Sequence, residues 1–132
     1  MFMELSFKYF IAVVVGGALG AVARYLMMIG VGHWFGHSFP FGTVLVNIIG
    51  AFLLGSFVQI SDFFWSPPPE FRIFITVGVL GSFTTFSTLA LDVYFLWGRG
   101  EVIEATGYVA VSIIFGIVAF FAGVTVFRSL LQ

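Results

Sequence analysis

Four apolar segments, each about as long as a helix that crosses a bilayer, leave this chain very few folds. They cover residues 9–29, 43–60, 72–96 and 105–127. A hydrocarbon core of ~30 Å needs about 20 helical residues, and each segment is close to that length. The connectors are short: "GVGHWFGHSFPF", "SDFFWSPPPEF" and "WGRGEVIE". Only 8% of the 132 residues are charged, against roughly 25% in a soluble domain. So few charges cannot cover a water-facing surface, and lipid must be the solvent for most of the chain. Trp34, Trp65 and Trp97 stand at segment ends, where amphipathic rings settle among headgroups. The expected fold is an all-α integral membrane domain spanning residues 1–132, with four transmembrane helices and both termini on one side.

The early apolar run is too long for the core of a cleaved signal peptide, and its small residues do not mark one cleavage site. With no cysteine, a disulfide framework, a thiolate metal site and a Cys nucleophile are all excluded. His33 and His37 have metal-ligand spacing only on a continuous helix, and Gly36 argues against one. No carboxylate pair, Ser-His-Asp set or phosphate loop is present. Neither an enzyme nor a nucleic-acid partner is expected.

Lys8, Arg72 and Arg128 fall on one side of the expected bundle, and Arg99 and Arg24 on the other. Such an even split of cations barely selects an orientation. Either a few local contacts decide it, or the protein inserts both ways and pairs antiparallel. Gly16 and Gly20, Gly17 and Ala21, and Ala51 and Gly55 are spaced for close helix contact, and Gly116, Ala119 and Gly123 share nearly one face. Ordinary packing inside one subunit accounts for most of them, but four helices cannot bury all these faces and also enclose a pore, so an oligomer is expected, a homodimer first.

Several polar residues fall at membrane depth. Asn47 shares a helical face with Thr43, Gly50 and Ala51. An unpaired amide in hydrocarbon costs several kcal/mol, so it either bridges helices or offers an N–H to an anion. Tyr108, Ser112 and Gly116 form a narrow stripe on segment four, although a serine in such a helix often bonds back to its own backbone. Arg24 can snorkel to the nearer interface. It and Asp92 are otherwise functional suspects as intramembrane charges.

The third segment contains "GVLGSFTTFSTLALD" from Gly78. Gly78, Gly81, Ser82, Thr84 and Thr85 weaken a helix where lipid tolerates no free backbone groups. A helix broken near its middle is expected, with carbonyls open to a cation. The next half-helix would start near Thr85 and carry Ser87 and Thr88 on its first turn. A phenyl ring is positive at its edge, so Phe86 among these hydroxyls can face a small anion. Most of the 19 phenylalanines, Phe83 among them, are read as lipid-facing or core residues.

Three stretches, "GGALGAVARY", "GTVLVNIIGAFLLG" and "GVLGSFTTFST", occur in this order on segments one, two and three. Together they resemble the bacterial CrcB/Fluc fluoride channels over nearly the whole chain. The resemblance implies a dual-topology antiparallel homodimer in the cell (inner) membrane, with two pores that export fluoride passively and relieve its toxicity. It implies a structural sodium ion at the dimer interface, held by backbone carbonyls at positions matching Gly81 and Thr84. Asn47, Phe86, Ser87, Thr88, Tyr108 and Ser112 match pore positions, with Thr43 one turn before Asn47, and Arg24 matches the family's first-helix arginine. Two positions depart from the pattern. Leu89 stands where the family has a second phenylalanine, on the expected face of Phe86, and Gly116 replaces a hydroxyl. Leu89 leaves open weaker conduction, altered selectivity or a heterodimer with a homologue that supplies the ring. A small dual-topology multidrug exporter is the other functional class; it would need an embedded carboxylate, for which Asp92 is the candidate.

Overall fold

Helix α1 (Phe7–Phe35) and helix α2 (Phe41–Phe63) form from the first two apolar segments. A third span, Pro69–Gly98, is interrupted, and the fourth is one continuous helix, Val102–Leu130. The computed structural model describes residues 5–132, and residues 1–4 of the expected 1–132 domain lie outside the described residues. Each span outruns the stretch marked by hydropathy. At 1.5 Å per residue, the 29 residues of α1 extend ~43 Å, enough to carry both ends into the headgroups.

The third span is built from four pieces. Helix α3 (Pro69–Ile73) opens with proline at its first position, where the missing N–H costs nothing. A π-helical run, Phe74–Leu80, follows. Then come the single turn α4 (Gly81–Phe83) and, beyond the break, α5 (Ser87–Gly98). The fourth span is α6. Thr84 marks the break: its ψ of 158° is extended backbone between two helical pieces.

The glycines explain how these pieces lie together. A Cβ on Gly16 would sit 2.6 Å from Phe74 O, and one on Gly20 would overlap Val79 O. The α1 glycines therefore admit the π-helical run to backbone contact. On the other side of the subunit, a Cβ on Gly55 would overlap Phe120 O and one on Gly123 would overlap Phe52 O. Helices α2 and α6 run parallel with their backbones against each other, and theirs is the most extensive helix pairing. This is the packing inside one subunit expected for most of the small residues. Gly16, Gly20, Gly55 and Gly123 are consumed inside one subunit, because each meets a carbonyl of its own chain. Gly116 alone among the spaced glycines of α6 faces open space.

What the subunit leaves uncovered is apolar. The most hydrophobic windows of α1 and α6 are only 11% buried. In water such faces would be untenable. Lipid or another apolar chain must cover them.

Candidate functional site

The break in the third span is made by two side chains that take donors away from the helix. In a continuous helix the Thr85 N–H would donate to Gly81 O, and the Thr88 N–H to Thr84 O. Here the Thr85 N–H donates to Asn47 Oδ1 at 2.7 Å, and the Thr88 N–H donates to Thr85 Oγ1 at 3.2 Å. The carbonyls of Gly81 and Thr84 are thus among those at the break whose helical donors are diverted. Thr85 acts as a hydroxyl cap for α5, and Asn47 clamps Thr85 from α2. The Asn47 Nδ2 group also donates to Thr85 O at 3.0 Å. Thr84 is seated by Gly50, where a Cβ would overlap the threonine methyl.

Arg24 turns inward to this break. Its Nη1 donates to Thr84 O at 3.5 Å, the outer edge of a hydrogen bond. The partly buried guanidinium therefore does not follow the snorkelling course considered from sequence. A carbonyl is available at membrane depth, and reaching it avoids a desolvated, unpaired charge.

Beside the break, a groove of about 580 Å³ opens on the subunit surface. Asn47 on α2, Thr84 to Phe86 at the break, and Ser112 and Gly116 on α6 line it. Phe86 stands out from the subunit, 78% exposed. Ser112 is buried, and its Oγ has no partner among the described residues. This departs from the back-bonding that a helical serine usually shows. Ser56, Thr76, Thr84 and Thr106 each donate to a carbonyl four residues earlier; Ser112 does not. The Asn47 amide has a second N–H beyond the one spent on Thr85 O. The groove thus offers donors and an aromatic ring within mostly hydrocarbon walls.

One turn away on both α2 and α6, the polar line continues. Thr43 Oγ1 donates to Asp92 Oδ2 at 2.7 Å, and Tyr108 OH donates to the same oxygen at 2.8 Å. Both donors are fully enclosed, at 1% and 0% exposure. The i, i+4 pairs Thr43–Asn47 and Tyr108–Ser112 thus run side by side from the carboxylate to the groove.

The structure does not gather every expected site residue in one place. Asn47, Phe86 and Ser112 share the groove with Thr84. Thr43 and Tyr108 lie at Asp92. Ser87 is exposed beside Phe86, with its Oγ 3.4 Å from Thr85 Oγ1, and Thr88 enters through its backbone. Gly81 is exposed at the break, and Arg24 approaches from α1. Phe86 and Leu89 both line the groove, as helical spacing expects, but they differ in depth. Phe86 precedes the first turn of α5 and projects outward, whereas Leu89 is 8% exposed and packs with Val44, Leu96, Ala105 and Tyr108. Thr85 is expected from sequence only as part of the weak stretch and the start of the half-helix, and its capping role is the one that expectation leaves unassigned. A threonine three positions before Thr88 at a half-helix start is a capping signal that identifies it. Among the described residues no three His, Cys, Asp or Glu side chains gather as metal ligands.

An interrupted membrane helix, irregular backbone held by side chains, and a line of hydroxyls and amide at membrane depth define a polytopic membrane protein of the ion-transporting class. The family described as "CrcB-like protein, Camphor Resistance (CrcB)" matches residues 11–124, and the chain belongs to this family. Among its relatives, the fluoride-specific ion channel FluC of Rhodospirillum centenum is 46% identical over 122 residues, covering 92% of this chain and 97% of that one. FluC of Nitrobacter winogradskyi is 43% identical, covering 94% and 98%. FluC 1 of Nitrobacter hamburgensis is 42% identical, covering 96% and 100%.

Proposed function

We propose that this chain is a fluoride channel of the cell (inner) membrane that passes the ion out of the cell and so limits its toxicity. The observation that carries the reading is the groove where buried Ser112 Oγ lacks a partner beside Asn47 and Phe86. A hydroxyl left without an acceptor at membrane depth is costly, and an anion is the acceptor it lacks. Fluoride is the smallest halide and accepts hydrogen bonds strongly. The hydroxyl, the spare amide N–H and a ring edge can replace part of its water shell. The groove has no cation among its lining residues to hold the ion too firmly, which suits conduction. Asp92 does not favour the exporter alternative, because one of its oxygens already accepts from Thr43 and Tyr108.

The reading includes a dimer with a second copy, inserted in the opposite orientation. A groove open along one side becomes a closed path only when something covers it, and exposed Phe86 is placed to enter the covering subunit. A heterodimer with a homologue is the other assembly the reading allows. The residues at the break also fit a structural sodium ion at the subunit interface. Gly81 O and Thr84 O have lost their helical donors, Thr84 O accepts in their place only the 3.5 Å contact from Arg24, Gly81 is exposed, and hard cations take oxygen ligands. Bound there, the ion would supply fixed positive charge that holds the break. The test is efflux from proteoliposomes containing only this chain. Fluoride should leave and chloride should not. Equal rates for the two anions would refute the reading, and no fluoride efflux would point to a required partner subunit.

A further inference from the structure

The line of polar groups ends, away from the groove, at two small cavities of about 170 and about 140 Å³. They share His37, Pro40 and Asp92 as walls. Arg99 lines the first, and Thr43 lines the second. His37 follows the helix-ending Gly36, whose φ of 78° turns the chain back over the end of α1. Its ring lies against Gly32, where a Cβ would overlap the imidazole. The exposed side chain therefore rests over Gly32 at the mouth.

The charges around this mouth are unbalanced for an anion. Asp92 comes from α5 and carries the hydroxyl of Tyr108 from α6. Arg99, from the α5–α6 connector, is paired with Glu101 at 2.8 Å and donates to Ser38 O at 2.6 Å. His33, one turn earlier on α1, lines neither cavity and stands edge-on to Trp34. With His37 neutral, the uncompensated charge at the cavity floor is the Asp92 carboxylate, which repels an approaching anion. Imidazole is the side chain whose charge changes near neutral pH.

We propose that His37 is a recruiting residue for the transported anion: its protonated ring offsets Asp92 at the mouth and draws fluoride toward the Thr43–Asp92–Tyr108 cluster. The inference rests on the channel reading and extends it to the entrance. One unit charge within ~8 Å of an ion in a water-like medium changes local anion concentration roughly two- to threefold.

The experiment measures initial fluoride efflux at low fluoride, from about pH 7.5 to about pH 5.5, across the range in which imidazoles titrate. Leak from protein-free vesicles is subtracted, and size-exclusion profiles check assembly. Wild-type flux should rise roughly two- to threefold as pH falls. His37→Gln should flatten that rise, and His37→Lys should give the higher flux at both ends. A merely structural role for the ring would not be rescued by lysine. Asp92→Asn separates the two layers of the argument. If His37→Gln keeps the wild-type rise while Asp92→Asn changes flux, the ion passes here but His37 does not recruit it. If all three variants match wild type, the path does not run past Asp92, and the inference falls. A wild type that conducts no fluoride overturns the channel reading and this inference with it.

Discussion

Asn47 Oδ1 receives the Thr85 N–H at 2.7 Å, the hydrogen bond that a continuous helix would give to Gly81 O. The break in the third span is therefore held from outside, by a side chain of α2, and is not merely a weakness of its own sequence. Asn47→Leu should orphan both the N–H and the C=O of Thr85. Each unsatisfied buried group costs about 1–3 kcal/mol. The expected outcome is a lowered thermal midpoint together with loss of fluoride flux. Asn47→Asp keeps the acceptor but not the donor, so it should retain more stability than the leucine variant while still losing flux. Thermal unfolding in detergent, paired with efflux, checks both.

Ser112 separates a pore hydroxyl from a structural one. Its Oγ is buried without a partner, so Ser112→Ala removes no protein hydrogen bond. Stability should stay within about 1 kcal/mol of wild type or rise slightly, while fluoride flux falls. A variant that loses stability and keeps flux would assign the hydroxyl to packing.

Two glycine substitutions should fail in different ways. At Gly20 a Cβ would overlap the Val79 carbonyl, so Gly20→Ala should force α1 from the π-helical run and impair folding. At Gly116 no atom lies within 4 Å of the added carbon. Gly116→Ala should fold and assemble normally, but it narrows the groove and should reduce flux. Size-exclusion profiles and efflux rates distinguish the two.

The pair closing the α5–α6 connector gives a pH signature. The hydrogen bonds from Arg99 hold the Glu101 carboxyl below its usual range, and Glu101 holds the Arg99 guanidinium above its own. A depressed carboxylate contributes stability above its unfolded pKa and loses it as pH falls through the lower folded value. The wild type should therefore exceed Glu101→Gln by a constant, small margin at neutral pH, and the margin should begin to shrink as pH falls below about 4 and vanish once it is below the folded value. Thermal midpoints across pH, for both proteins, check this.

Much of this architecture is legible in the sequence, because the bilayer imposes simple rules. Lengths of apolar sequence disclose the spans, and Gly, Ser and Thr within "LGSFTTFST" disclose the break. The direction of a side chain at an irregular position is not disclosed in the same way. Helical spacing puts Phe86 and Leu89 on one face, and both line the groove, but spacing does not tell that Phe86 stands out of the subunit while Leu89 turns into its core. Nor does spacing tell which neighbour uses a small residue: Gly16 and Gly20 read equally well as intersubunit contacts until the Phe74 and Val79 carbonyls are found against them. The convergence of Thr43 and Tyr108 on Asp92 joins three segments far apart in the chain, and no local pattern announces it.

The central claim is that the groove beside the break, with Phe86 at its edge, is the route of the ion. Phe86 is 78% exposed in the subunit, so Phe86→Ile should not disturb the subunit's own core. It replaces a polarised ring edge with plain hydrocarbon. The most direct test is the initial rate of fluoride efflux from proteoliposomes containing Phe86→Ile, with a size-exclusion profile matching wild type. The account predicts at least a tenfold fall in rate, corresponding to about 1.4 kcal/mol on the barrier. A Phe86→Ile protein that assembles as wild type does and passes fluoride at the wild-type rate would contradict it.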